Sequence, residues 1–201
     1  MLDMIFIHSI TITNNNHAAN ESTERVRVMR KVIEVKTIYT WETATDEIRD
    51  KILDKQWNIN IDHEWWDFIY DELSELGLEC REFDIDRGSY CKLEFKSSAC
   101  EIAQNILNNH GESCETWQTA NSFMQKWQPV YNEYLDPDSN GYEISDLEDN
   151  LMELEDEFLQ ELQEDYLSIL CGEYEYLTSE EAITETIICN EYEFLADGSI
   201  Y

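Results

Sequence analysis

Positive charge is what this sequence most lacks. Its 13 Lys and Arg face 45 Asp and Glu, for a formal net charge of −32, and the last basic residue is Lys126. Residues 127 to 201 therefore hold twenty-two carboxylates with no Lys or Arg to pair them. Phosphate contacts need basic side chains, so direct nucleic-acid binding is excluded. Repulsion on this scale costs stability and exceeds what solubility needs, which points to a use for the charge. Basic proteins or cations are the natural partners. Halophilic adaptation would also give acidic surfaces, but Lys and Arg are frequent before residue 127 and the chain is rich in Ile, Trp and Cys.

Other absences narrow the chemistry. There are only six Gly and no Gly-rich phosphate loop. The four His, at positions 8, 17, 63 and 110, set no evident base beside a Cys or Ser nucleophile. Carboxylates are too abundant for any one pair to stand out as an acid and base. No enzyme activity and no catalytic residue is expected. The six Cys form no Cys-x-x-Cys pair and no secretory signal is recognisable, so they read as reduced thiols of a cytosolic protein. His110 with Cys114, plus Cys91 or Cys100, could approach a zinc site, but the spacing is irregular and a second pair is missing. Neither metal nor cofactor is expected. The opening MLDMIFIHSITITNNNH is apolar only briefly, carries Asp3, and no run reaches the length of a membrane span. The expectation is a soluble cytoplasmic protein.

What is present is a chain with 42% hydrophobic and 12% aromatic residues, able to bury a sizeable core as one domain with an appendage. Its organising stretch is residues 144 to 176. Leu147, Leu151, Leu154, Phe158 and Leu162 recur every three or four residues and fall on one side of an α-helix. Between them stand ten carboxylates: Asp146, Glu148, Asp149, Glu153, Glu155, Asp156, Glu157, Glu161, Glu164 and Asp165. At a rise of 1.5 Å per residue this is roughly one negative charge per 3 Å, against about 3.4 Å for one DNA strand. These ten are the candidate partner-binding residues, as phosphate surrogates, with residues 82 to 86 or 180 to 193 as a second row.

Elsewhere the reading is of short elements. Met29 followed by RKVIEVKTIYTW reads as a natural start leading into a strand over 31 to 40, with residues 1 to 28 an upstream extension; an edge strand at 3 to 13 is the alternative. Thr43 or Thr45 can cap a helix to about Lys55, with Ile48, Ile52 and Leu53 inward. Asp62 can cap a second from His63 to Leu76, ended by Gly77, with Trp65, Trp66, Phe68, Ile69 and Leu73 as a broad aromatic core face. Residues 78 to 95 read as a hairpin turning at Asp86 to Ser89, with Glu82, Asp84 and Asp86 on one face. Ser97 or Ser98 begins a helix stopped near His110, and Ser113 precedes another that Pro129 interrupts or ends. Thr178 with Glu181 fits a capping box for a last helix to Cys189, with Ala182, Ile183, Ile187 and Ile188 inward.

The loop from Asp136 invites a calcium reading, because Asp136-x-Asp138-x-Asn140-Gly141 matches the first half of an EF-hand loop. The second half fails: position 12 is Leu147. An acidic turn leading into the next helix explains the same residues.

EFDIDRGSYCKLEF at 82 to 95, GESCETWQTA at 111 to 120 and EYEYLTSEEAITETIICNEYEFLADG at 173 to 198 resemble a family of uncharacterised acidic proteins of bacteriophages and mobile elements, sometimes labelled antitoxin-like. The similarity covers about Lys31 to Tyr201 and carries no catalytic residues. It implies a setting in which small acidic phage proteins disable host defence nucleases or transcription machinery.

The expected fold is α+β, mainly helical, with a small antiparallel sheet and a long acidic C-terminal helix. Its expected parts are residues 1 to 28 as an extension, 29 to 143 as an α+β core, and 144 to 201 as an acidic helical segment packed on it. The expected partner is a basic nucleic-acid-binding host protein in the host-cell cytoplasm, with no membrane contact. A homodimer is a candidate assembly. The alternative is an antitoxin-like or regulatory protein-binding module that uses hydrophobic surface.

Overall fold

The computed structural model describes residues 34–136 and 141–201. Among them the fold is α+β and mainly helical. The elements are helices α1 (Asp46–Gln56) and α2 (Asp67–Leu76), strands β1 (Leu78–Asp84) and β2 (Tyr90–Phe95), then helices α3 (Ala99–Asn109), α4 (Glu115–Tyr134), α5 (Gly141–Leu177) and α6 (Glu180–Cys189). They form two compact units, one of residues 34–59 with 180–201, the other of residues 60–179.

The larger unit is built on α5. Leu147, Phe158, Leu162, Tyr166 and Leu170 are buried along one side of it, while Leu151 and Leu154 pack at the flanks. That side faces α4 and β2. Phe158 stacks on Phe123 of α4 with ring centroids 4.3 Å apart and touches Phe95 of β2. Truncating such a ring to Ala costs about 3–5 kcal/mol in a well-packed core, so α5 is a structural member of this unit rather than an appended arm.

The sheet is the hairpin alone. β1 and β2 pair antiparallel, with a bulge between Cys80 and Glu82 that lets Cys80 and Phe83 both face the core. Gly88 supplies the positive φ of 86° in the turn. The strand expected over 31 to 40 does not form in its described part. Residues 34 to 38 pair with nothing as strand, Val35 is 74% exposed, and Tyr39 makes one isolated bridge with Phe194. Without a neighbouring strand to take its backbone groups, a β-rich sequence does not build a ladder. The extension over residues 1 to 28, with its alternative edge strand, lies outside the described residues.

Three helix boundaries differ from expectation. α2 begins at Asp67, not His63. Trp65 is buried against Phe83 and Tyr174, and Trp66 packs edge-on against both Phe83 and Trp65, each at 5.5 Å between centroids. Holding both rings around one Phe takes a turn instead of helix, and Asp62 contacts the His63 ring instead of capping. Phe68, expected in the core face, is 50% exposed. Helix α4 runs through Pro129 to Tyr134. The missing N–H is tolerated because Trp127, Tyr131 and Tyr134 stack in sequence past it, at 4.3 Å and 6.4 Å between centroids. Thr178 turns its hydroxyl back to the Tyr174 carbonyl, 2.8 Å away, so it closes α5 and does not cap α6.

In the smaller unit Ile48 and Ile52 of α1 meet Ile183 and Ile187 of α6 around a fully buried Phe194. Ile188, expected inward, is 44% exposed. The Asp197-Gly198 turn is tied to α1 by a Lys55–Asp197 ion pair of 2.8 Å and by Gln56 Nε2 donating to the Gly198 carbonyl at 3.1 Å.

Candidate acidic interface

Since one side of α5 is held in the core, the other side is presented on a rigid rod. Eight of the ten candidate carboxylates are exposed on the helix: Asp146, Asp149, Glu153, Asp156, Glu157, Glu161 and Glu164 on that side, and Glu148 nearer α4, in phase with buried Tyr166. From Asp146 to Glu164 the helix advances about 27 Å, so the exposed residues alone supply about one carboxylate per 3.4–3.9 Å. A DNA strand carries one phosphate per 3.4 Å. Asp149, Glu153, Glu157 and Glu161 follow at four-residue steps, about 6 Å apart along one inclined row.

The row is little neutralised. Among the described residues, Lys126 approaches it, with Nζ 3.7 Å from Glu157. Tyr134 donates its hydroxyl to Glu148 at 3.2 Å, and Gln160 donates to Glu164 at 3.3 Å. Neither contact removes charge. A shallow hollow lies between Asp149, Glu153, Asp156, Glu157 and Gln160, with Met152, 62% exposed, on its wall. The thioether gives a polar face one apolar contact point, which the charge pattern by itself does not reveal.

Asp165 and Glu155 do not belong to the row. Asp165 is half-buried beside α4, and its Oδ2 is fully buried with no hydrogen-bond partner. Desolvation holds its carboxyl above the usual aspartate range; a hydrogen bond from Thr119 opposes this, while Glu115, Glu161 and Glu164 add to it. The position was readable in advance, because Asp165 follows Leu147 by eighteen residues, five full helical turns. Glu155 is half-buried on the flank near Cys100, whose thiol is pushed up by burial and by the Glu155 charge.

The second row expected at residues 82 to 86 is largely engaged. Glu82 pairs with Lys92, and Asp84 accepts the Asp86 backbone N–H at 2.8 Å, which shapes the turn. Next to them Arg81 joins Glu79 and Glu94 at 2.6 and 2.7 Å. This hairpin is therefore a compensated surface. The acidic residues Glu180, Glu181, Glu185, Glu191 and Glu193 are exposed within the smaller unit. His110, weighed as a zinc ligand, shares a 2.7 Å hydrogen bond with Thr116, and its other ring nitrogen faces Glu72 at 3.6 Å. Pro137 to Asn140, the heart of the calcium-like loop, lies outside the described residues. Among the described residues no helix is long and apolar enough to cross a membrane.

Comparison with protein-family models, curated proteins and solved structures returned no match for this chain.

Proposed function

We propose that this chain is a non-enzymatic, phage-encoded inhibitor of a host nucleic-acid-binding defence protein, such as a CRISPR effector or restriction nuclease. It acts as a DNA mimic that occupies a basic cleft. One observation carries the reading: eight exposed carboxylates on one core-anchored helix repeat at nearly the axial spacing of phosphates along a DNA strand. Anchoring matters because a rigid row need not be ordered on binding, and a dense negative field speeds encounter with a basic cleft.

A second reading is favoured by Met152, which stands 62% exposed within the acidic face. In an antitoxin-like or regulatory binding module such a side chain anchors the contact, and charge only steers it. A pull-down from host lysate at low salt, eluted by a salt gradient and separately by duplex DNA, distinguishes the two. A nuclease released by both supports mimicry. A partner released by neither rejects mimicry and leaves the apolar contact as the binding determinant.

A further inference from the structure

The hairpin holds a pair of thiols that the acidic face does not use. Cys80 on β1 and Cys91 on β2 lie on the same side of the sheet, with Sγ atoms 3.9 Å apart. Their surroundings differ. Cys91 is buried at 5% exposure, whereas Cys80 is half-buried and reachable. The hydrogen bond with Cys91 lowers the Cys80 thiol against the opposing cost of burial, and Tyr70 and the Glu82 backbone lower it further. A bulge shifts the register between Cys80 and Glu82, directly beside this thiol. A thiol donor within hydrogen-bond distance favours the Cys80 anion.

We infer that Cys80 and Cys91 are an oxidation site, in which Cys80 is the thiol that attacks a hydroperoxide and Cys91 the thiol that resolves it to an intramolecular disulfide. In the first step the Cys80 thiolate attacks the terminal peroxide oxygen. The O–O bond breaks, the alkoxide or hydroxide leaves and takes a proton, and Cys80 becomes a sulfenic acid. In the second, Cys91 loses its proton and attacks Cys80 Sγ, the S–O bond breaks, and hydroxide leaves as water. Two thiols and one hydroperoxide thus give one disulfide, one alcohol or water, and one water. The asymmetry of the pair supports the order of events: hydrogen bonding from Cys91 brings the Cys80 thiol down to about 7, while its own bond to Cys80 and then burial push Cys91 up. A thiol that ionises near ambient pH combines thiolate content with nucleophilicity. The other four cysteines, Cys100, Cys114, Cys171 and Cys189, have no thiol partner at such a distance among the described residues.

The test is to treat the reduced full chain with one equivalent of hydrogen peroxide under native conditions, alkylate the remaining thiols, digest, and read the cysteine peptides by mass spectrometry. The expected product has lost two hydrogens and two alkylation sites, with Cys80 linked to Cys91 and the other four cysteines alkylated. Oxidation of exposed Cys114 or Cys189 ahead of the pair, a different linkage, or full alkylation of all six overturns the proposal. Cys91→Ser gives a second readout. A folded Cys91→Ser chain should accumulate a dimedone-reactive sulfenic acid on Cys80, and absence of that adduct also overturns the assignment.

Discussion

The hydroxyl of Tyr166 donates to Glu72 Oε1 at 2.8 Å, joining the fully buried middle of α5 to α2 within the larger unit. The ring contributes apolar burial, and the hydroxyl gives one charge-assisted hydrogen bond in place of water. Tyr166→Phe keeps the ring and leaves Glu72 free to solvate, so it should cost about 1 kcal/mol. Tyr166→Ala opens a cavity and should cost about 3–5 kcal/mol. Urea denaturation of both variants checks the ratio. Equal losses would mean that the hydroxyl, not the ring, holds this contact.

Gly198 and Gly88 both have positive φ, 82° and 86°, yet they should respond differently to substitution. At Gly88 an added Cβ meets open space, so Gly88→Ala pays only the left-handed backbone penalty of about 1–2 kcal/mol. At Gly198 the Cβ would lie against the carbonyl carbon and oxygen of Lys51 in α1, and backbone cannot move aside as a side-chain tip can. Gly198→Ala should therefore destabilise the smaller unit by more than Gly88→Ala destabilises the hairpin. Hydrogen exchange at α1 amides, set against exchange at β2 amides, measures the two effects separately.

Much of the fold was legible because local rules and tertiary packing agree there. The spacing of Leu147, Phe158 and Leu162 marks the buried side of α5, Gly77 ends α2 in the left-handed conformation, and Ser98 caps α3 by accepting the Glu101 N–H. The misses fall where distant residues decide. Pro129 reads locally as a stop, but stacked Trp127 and Tyr131 carry α4 past it. Trp65 fits a helical pattern, but Phe83 and Tyr174 draw it into a turn. In the acidic interface the composition of the row was plain. Charge counting concealed that Asp165 is in phase with the core, although helical periodicity contains that information.

The burial of Asp165 has a pH signature. A carboxyl whose folded-state pKa is raised contributes stability fully present below its unfolded value, near 3.8, and lost as pH rises through the folded value. At neutral pH the ionised side chain is thus a liability to the folded state. Asp165→Asn should stabilise the chain at pH 7, by up to about 1 kcal/mol because screening at a half-exposed site keeps the gain small. The advantage should fade as pH falls below the raised carboxyl range, where the wild-type side chain is neutral as well. Paired denaturation curves across that range check it. A variant less stable than wild type at pH 7 would show that the Thr119 hydrogen bond outweighs desolvation.

Under the mimicry proposal, Asp165 and the exposed row should also separate in binding. Glu153, Asp156, Glu157 and Glu161 are exposed on α5 and lie within nine residues of one another. Reversing all four to Lys changes the local charge by eight units without touching Leu147, Phe158 or Leu162, so the fold should survive, as circular dichroism can verify. Affinity for the basic partner should fall at least about 100-fold, since like charges set against a basic cleft cost several kcal/mol. Asp165→Asn, which faces inward, should bind within about twofold of wild type. For the wild type, the association rate should drop steeply as salt rises while dissociation changes less, because steering acts on encounter. A folded quadruple variant that binds as tightly as wild type would sink the phosphate-surrogate assignment, and Met152→Ala would then be the substitution expected to weaken the contact.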